Sequence, residues 1–279
     1  MIWVKTLQAL ERRIVPFLID RWAPSELIRA SWKYAPKPPA GTVNAAGFRF
    51  DIDPRGGRPN DAALYYHGTY EAGTVQVLSR VAAGGILVDA GAHIGAIALP
   101  LSRHASHVHA FEPHPRTHTV LAANADRNGL TNVTAHHAAI GLRDGTGMVT
   151  DLDNAAGNTL ADGTGSIPVP VRSLDSLTDE YGPPAAIKLD VEGWELDALK
   201  GGERLLSSGD APALCVESST IGAGDRSGVV EWILDVNDYR VFRLSRGKDT
   251  RSDLVPFDGR MPRHDNLFYL RPSHMGAVL

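Results

Sequence analysis

The sequence predicts an α/β protein built on one mainly parallel β-sheet with helices on both faces. Apolar strand patterns and helix patterns alternate from residue 85 to residue 236, as they do when crossover helices join parallel strands. The last two strand patterns, 241–244 and 267–270, lack a clear helix between them. This break in the alternation predicts an antiparallel hairpin at one edge of the sheet.

The segment before residue 41 is predicted to be a helical extension. Its apolar residues between positions 2 and 33 recur every three or four residues. We therefore expect two units, an extension over 1–40 and a main domain over 41–279. Arginines in the extension leave open contact with its own domain, with a second copy in a homodimer, or with a membrane surface. The main domain begins with a strand pattern from Val43 to Ile52 that has Gly47 as a turn.

The most informative stretch begins with an apolar strand at Gly85 that ends at Asp89. The chain then turns through Gly91 and Gly95 into a small-residue helix over 96–102. Glycines at these positions permit a tight turn and the close approach of a ligand. The next strand ends in Glu112, 23 residues after Asp89, which is about the spacing of a ribose-binding acid. Together these features predict a nucleoside pocket.

The loop itself discriminates between nucleoside cofactors. A dinucleotide site would read Gly-x-Gly-x-x-Gly, whereas this loop places Asp89 before the turn and His93 at the middle glycine position. A carboxylate there repels a pyrophosphate and attracts a cation. S-adenosylmethionine has an ammonium, a sulfonium and a ribose diol, so two acids at strand ends suit it. An NAD-dependent oxidoreductase is the less favoured alternative.

The remaining patterns place the other elements in order. A helix leads into the first core strand, and Gly129 follows the next long helix at a C-cap position. The predicted helices span 70–81, 115–128, 195–206 and 227–236; the predicted strands span 133–136, 169–171, 185–189 and 213–216; and 144–166 is expected to form hairpins and an irregular loop.

Four predicted strands end in acids, and ligands of open parallel sheets bind at that edge. Asp190 and Glu217 join Asp89 and Glu112 there. So many carboxylates repel one another unless cations, hydrogen bonds or ligand hydroxyls compensate, which points to a functional site. Strand alternation predicts that Asp190 and Glu192 lie on the same side, with Lys188 as a partner for one of the acids.

The order of these motifs resembles the FkbM family of methyltransferases. The similarity covers roughly 64–270 and includes Tyr70-Glu71, the loop from Asp89 to Gly95, Phe111-Glu112-Pro113, Leu174-Asp175-Ser176-Leu177, Ile187 to Glu195, and Asn266-Leu267-Phe268. Family members are S-adenosylmethionine-dependent O-methyltransferases with a class I Rossmann-like fold and a seven-stranded, mostly parallel sheet. This chain departs from the family at His93, where asparagine is usual.

The resemblance implies roles for individual residues at both ends of the cofactor. Asp89, Gly91, His93 and Gly95 would line the methionine end, Glu112 would bind the ribose hydroxyls, Ala139 would flank the adenine, and Glu71 would close over the cofactor. Asp190 and Glu192 would face the transfer site, with Asp190 also contacting the cofactor. The implied acceptor is a hydroxyl of a sugar, an oligosaccharide, a glycolipid or a related natural product.

Two routes to methyl transfer remain open at this stage. An alcohol needs help to lose its proton, so Asp190, Glu192 or His264 is predicted to act as a base. Alternatively, Asp190 and Glu217 hold Mg²⁺, which would lower the pKa of the acceptor hydroxyl. A protein that binds S-adenosylmethionine without turnover is a second hypothesis, but the presence of Asp89, Glu112, Asp190 and Glu192 counts against it.

Composition restricts the kinds of binding partner and the cellular compartment that we expect for this protein. The net charge of −4 gives no reason to expect nucleic-acid binding. The single cysteine, Cys215, lies in an apolar run, which predicts a buried thiol and a reducing, cytoplasmic location. No run of about 18 apolar residues predicts a membrane span.

Overall fold

A computed structural model describes residues 39–53, 59–151, 167–218, 227–260 and 265–278. The predicted N-terminal helix lies outside these residues, so the expected division at residue 40 stays a prediction. His264 also lies outside them. Within the described residues, no helix has the length and apolar character needed to cross a membrane.

The described strands follow the predicted order closely. They are β1 (Gly41–Ala45), β2 (Phe48–Ile52), β3 (Ile86–Ala90), β4 (His107–Phe111), β5 (Val133–His136), β6 (Ala139–Ile140), β7 (Gly145–Val149), β8 (Ile167–Arg172), β9 (Ala186–Leu189), β10 (Ala213–Ser218), β11 (Arg240–Leu244), β12 (Leu254–Pro256) and β13 (Asp265–Leu270). The first two form a hairpin because Ala46 and Gly47, with φ of 50° and 79°, make the left-handed two-residue turn that suits strand twist.

The helices lie between the strands of the central sheet and around them. They are α1 (Pro59–Tyr66), α2 (Ala72–Val81), α3 (Ala98–Leu101), α4 (Pro115–Arg127), α5 (Leu174–Tyr181), α6 (Glu195–Lys200), α7 (Glu203–Leu206), α8 (Ser227–Val236) and α9 (Pro272–Val278). The predicted helix over 195–206 is divided at Gly201-Gly202. A Cβ on Gly201 would lie 2.2 Å from the Gly141 carbonyl oxygen, so the backbone passes too close for a side chain there.

The central sheet has eight strands in the order β12-β11-β13-β10-β9-β3-β4-β5. The five from β10 to β5 are parallel, whereas β13, β11 and β12 continue the sheet by antiparallel pairing. The predicted fold class and the antiparallel edge are therefore confirmed. The short strand β12 is an addition to the seven expected strands, and β6, β8 and β7 form a separate small sheet.

Apolar side chains cover both faces of this sheet. One core cluster packs Leu87 and Val108 against residues of α2, α3 and α4, including Leu78, Leu101 and Leu121. On the other face, a second cluster packs residues of β3, β9 and β10 against α5–α8. Because side chains alternate along a strand, the two clusters use alternate residues, such as Leu87 and Val88. Cys215 is buried with a free thiol, as predicted.

Candidate functional site

The glycine loop after β3 lies against the end of β9. Gly91 has φ of 83°, and a Cβ at this position would lie 1.9 Å from the Asp190 carbonyl oxygen. Its N–H donates to the Phe111 carbonyl, so the loop is held between two strands. Gly95 has φ of 89°, and a Cβ there would overlap Leu99. Gly91 is thus required by conformation and by space, and Gly95 by its conformation.

Three residues near the strand ends have a left-handed backbone although they are not glycine. These are Glu71, His93 and Glu192, with φ of 44°, 52° and 55°. Such conformations cost roughly 1–3 kcal/mol and cluster at functional sites when the surrounding structure enforces them. Among the described non-glycine residues, only the hairpin residue Ala46 shares this conformation.

Asp89 and Lys188 face each other across β3 and β9 in a fully buried ion pair. The lysine Nζ lies 3.5 Å from Asp89 Oδ1 and 3.4 Å from Asp190 Oδ2, so one ammonium serves two carboxylates. Burial raises the pKa of Asp89, and Lys188 only partly opposes this effect. Burial acts in the same direction on Asp190, but Lys188 and Lys248 together lower its pKa. Lys188 thus pairs with Asp190, as predicted, and also with Asp89, which the sequence did not indicate.

A second buried cation, Lys248, lies in the connection between β11 and β12. Its Nζ is 2.7 Å from Glu71 Oε1 and 3.6 Å from Glu217 Oε1. Asn266 Nδ2 donates to Glu71 Oε2 at 2.8 Å and to the Thr74 hydroxyl at 2.9 Å. Burial alone would raise the pKa of Glu71, but Lys248 and Lys188 lower it below its ordinary value.

Glu112 organises the loop on the other side of β3. Its Oε2 accepts the backbone N–H of His93, and its Oε1 accepts that of His114, both at 3.0 Å. His93 is held further by Asn60, whose Nδ2 donates to His93 Nδ1 at 3.1 Å. The residue that departs from the family pattern therefore has a specific partner on α1. Glu112 is 7% exposed.

The other predicted site residues are less close together. Ala139 is buried in β6, which follows β5 beside the end of β4. Glu192 is exposed in the turn after β9. The strand ends at Leu189, so the alternation used to place Glu192 beside Asp190 does not extend to it. Glu195 accepts the backbone N–H groups of Val191 and Gly193.

The donor set does not fit Mg²⁺ at Asp190 and Glu217. The two carboxylates lie at the ends of neighbouring strands, as predicted. However, an ammonium lies 3.4 Å from one and 3.6 Å from the other, so a divalent ion would meet two positive charges. Within the described ranges, no three His, Cys, Asp or Glu side chains group together in a way that could hold a metal.

Sequence reasoning missed Lys248 and the partners of Glu71. Lys248 occurs in the polar stretch Arg246-Gly247-Lys248-Asp249-Thr250, which looks like an ordinary surface loop. Its only unusual property is burial, with 5% exposure, and nothing in the local pattern signals that. Asn266 belongs to a motif that carries the resemblance, but its contact with Glu71 spans 195 positions of the chain.

The sequence profile of the methyltransferase FkbM domain matches residues 89–241, which is more than half of the chain. The chain belongs to the FkbM methyltransferase family. This membership confirms the resemblance, and the matched span begins at Asp89 and includes Glu112, Lys188, Asp190 and Glu217. Glu71 and Lys248 lie outside it.

Two methyltransferases match part of this chain in sequence. The hexuronic acid methyltransferase AglP of Haloferax volcanii is 35% identical over 131 residues, which are 44% of this chain and 52% of AglP. Methyltransferase 1 of Beauveria bassiana is 28% identical over 142 residues, or 41% of this chain and 57% of that protein. The chain thus spans about half the length of the relatives that it matches.

Solved structures of methyltransferases also match. FkbM methyltransferase from Methylobacillus flagellatus is 24% identical and covers 67% of this chain and 43% of its own, with a TM-score of 0.44. Precorrin-6y C5,15-methyltransferase from Geobacter metallireducens is 13% identical and covers 71% of this chain and 84% of its own, with a TM-score of 0.40.

Proposed function

We propose that this FkbM-family chain catalyses S-adenosylmethionine-dependent O-methylation of a sugar hydroxyl. The observation that carries the proposal is the charge at the strand ends. Glu71, Asp89, Asp190 and Glu217 are accompanied there by Lys188 and Lys248, which leaves two negative charges in excess when all six are ionised. Such an excess suits a cofactor that carries an ammonium and a sulfonium.

The residues present fit the methionine end of this cofactor. Both Asp89 oxygens are buried; Oδ1 faces the Lys188 ammonium at 3.5 Å, and Oδ2 has no hydrogen-bond donor among the described residues. Gly91 and Gly95 provide backbone that no side chain obstructs, and Asp190 borders the same loop. Asp89 is 0% exposed, whereas Asp190 has 19% of its side chain exposed, so Asp190 is the more accessible of the two acids.

The ribose and adenine would lie on the β4 and β5 side. Glu112 is the acid at the end of β4, and its carboxylate, which accepts one backbone N–H on each oxygen, is proposed to bind the ribose hydroxyls. Ala139 follows β5 at this edge and would flank the adenine. His93 would act through the loop conformation that Asn60 and Glu112 maintain.

When bound, S-adenosylmethionine supplies a methyl group on a positively charged sulfur. The protein must then align the acceptor oxygen and take its proton as the oxygen–carbon bond forms. Asp190 and Glu217 are the partly exposed carboxylates of the cluster, with 19% and 14% side-chain exposure. We assign proton acceptance to this pair. We propose that Glu192, which is exposed in the turn after β9, contacts the acceptor at the edge of the site.

The proposed acceptor class rests on the relative named for it. AglP is a hexuronic acid methyltransferase, and it is 35% identical to this chain over the matched residues. We therefore propose a hydroxyl of a hexuronic acid or of a related sugar in an oligosaccharide as the acceptor. Methyl transfer to a hydroxyl rather than to the carboxylate is favoured because a hydroxyl must lose a proton, which the Asp190–Glu217 pair can accept.

Calorimetry with S-adenosylmethionine and with NAD tests the cofactor. We expect the protein to bind S-adenosylmethionine and not NAD. A folded protein that binds NAD instead would overturn the proposal. Transfer of a labelled methyl group to p-nitrophenyl β-glucuronide and to p-nitrophenyl β-glucoside then tests the acceptor, with mass spectrometry locating the new methyl ether. Product esterified at the carboxyl group would contradict O-methylation of a hydroxyl.

Asp190→Asn separates turnover from binding. It should keep cofactor affinity within about tenfold and lower the rate about 10²–10³-fold, because general-base catalysis contributes roughly that much. Asp179→Asn, an exposed aspartate on α5, is the matched control and should behave as wild type. Binding without turnover in the wild-type protein on every sugar tried would favour the silent cofactor-binding module.

A further inference from the structure

Lys248 is a buried cation that the proposed mechanism has not yet used. It lies in the β11–β12 connection, at 5% exposure, among groups from three other parts of the fold. Glu71 precedes α2, Asp190 follows β9, Glu217 lies in β10, and Tyr70 is adjacent to Glu71. Glu71 and Glu217 each place a carboxylate oxygen within 3.6 Å of the ammonium.

The fold fixes this lysine from the backbone outwards. The Lys248 carbonyl accepts the N–H groups of Gly73 at 2.9 Å and Thr74 at 3.3 Å, in the first turn of α2. A Cβ on Gly73 would lie 2.5 Å from the Thr250 carbonyl oxygen, so the connection and the helix are in close contact. The backbone of Lys248 is therefore fixed against α2, and this contact positions its side chain among the carboxylates.

The side chain is equally constrained. Glu71, the partner at 2.7 Å, is itself fixed by Asn266 through its other oxygen. Burial would lower the pKa of Lys248, but Glu71 and Glu217 raise it well above its ordinary range. The two carboxylate partners favour the charged form of this side chain, so we do not assign it the role of a base. Any effect on the reaction must act through its neighbours.

Those neighbours are the two carboxylates assigned to proton acceptance. Lys248 contacts Glu217 directly, and it lowers the pKa of Asp190 together with Lys188. A purely structural ion pair between Glu71 and Lys248 would not need to reach Glu217.

We propose that Lys248 is a positioning residue of the transfer reaction, which orients Glu217 beside Asp190 and, with Lys188, supplies the positive charge that a metal ion would otherwise provide. The inference rests on the proposed function. In the transfer step the acceptor O–H bond breaks and its proton passes to one carboxylate. The oxygen–methyl bond forms as the sulfur–methyl bond breaks, and the sulfur electron pair leaves with a neutral thioether.

The test compares Lys248→Met with Lys248→Arg and with Lys200→Met, an exposed lysine on α6. The first readout needs no acceptor: carbon-13 NMR titration of the Asp190 carboxyl, assigned with Asp190→Asn. In Lys248→Met this carboxyl should titrate at higher pH than in wild type, because one of two neighbouring cations is gone. Lys248→Arg and Lys200→Met should leave its titration near the wild-type position.

Turnover provides the second readout. On an acceptor that the wild-type enzyme methylates, Lys248→Met should lose about 10²-fold in kcat, with KM changed less than about threefold. The acid limb of its pH–rate profile should move to higher pH. Lys248→Arg should restore the limb. The wild-type enzyme should keep its rate in EDTA without stimulation by Mg²⁺.

Each failure has a distinct meaning. An unchanged Asp190 titration in folded Lys248→Met, or a wild-type rate that EDTA abolishes and Mg²⁺ restores, would overturn the role of Lys248. If Lys248→Met does not fold, Lys248→Gln takes its place in both readouts, and the EDTA result on the wild-type enzyme decides independently. Wild-type protein that binds no S-adenosylhomocysteine in calorimetry would instead refute the proposed function.

Discussion

Replacing Gly91 with alanine tests how closely the end of β3 approaches the end of β9. The variant should lose more stability than backbone strain alone would cause. The added methyl would lie 1.9 Å from the Asp190 carbonyl oxygen, more than 1 Å inside the closest approach of real atoms. Neither neighbour can yield easily, because the Gly91 N–H is bonded to Phe111 and the Asp190 N–H to Ala90. A left-handed alanine costs about 1–2 kcal/mol, and overpacking adds about 1–3 kcal/mol, so we expect a loss of about 3 kcal/mol.

Gly129→Ala is the matched control. Gly129 is also left-handed, with φ of 64°, but a Cβ there would have nothing within 4 Å. It should lose only the strain, about 1 kcal/mol, which corresponds to a fall in Tm of about 2–4 °C. Gly91→Ala should lower the Tm by about 6–12 °C on the same basis.

Differential scanning calorimetry measures both shifts, and isothermal titration then measures S-adenosylmethionine affinity of the folded variants. Gly91→Ala should bind the cofactor at least about tenfold more weakly, because the displaced loop borders its methionine end, while Gly129→Ala should bind normally. Equal Tm losses in the two variants, within about 2 °C, would show that the two strand ends do not approach as closely as described.

Three further outcomes follow from the described contacts. Burial lowers the pKa of His109 and of its hydrogen-bonded neighbour His136 to about 4. Their contribution to stability is therefore complete above pH 6.5 and is lost as the pH falls towards 4. His109→Phe should reduce the loss of stability between pH 7 and pH 5 by about 1–2 kcal/mol in urea titrations, and an unchanged pH dependence would contradict this. Asn124→Ala removes buried hydrogen bonds to the Ile94 carbonyl and to β2, and should cost about 2 kcal/mol and weaken cofactor binding. Ser173→Ala removes the N-cap of α5 and should cost about 1 kcal/mol with normal binding, which chemical denaturation and calorimetry together would check.

The part of the site that sequence reasoning located lies at the ends of strands. Asp89, Glu112 and Asp190 each follow an apolar run directly, and parallel strands bring their carboxyl ends to one edge. Lys188 could be paired with Asp190 because it lies two residues before it in the chain, whereas its contact with Asp89, directly opposite on β3, depends on the strand register. Local pattern and sheet geometry were sufficient for these residues.

The partners of Glu71 could not be found in that way. Lys248 and Asn266 approach it from a loop and from β13, both far away in the chain. Asn60 reaches His93 from α1, a helix that the sequence reasoning did not predict. Magnesium was a reasonable expectation for Asp190 and Glu217 when their neighbours were unknown, and the two lysines make it a poor fit.

The sequence by itself determined the fold class, the order of the core elements, the glycine loop and the edge of the sheet that carries the acids. These features depend on hydrophobic periodicity and on short-range conformational preferences, which neighbouring residues encode. Only the tertiary structure decided which cation meets which carboxylate and which of the acids remain exposed. Those properties depend on burial and on distances between segments far apart in the chain, and electrostatic energies change steeply with both.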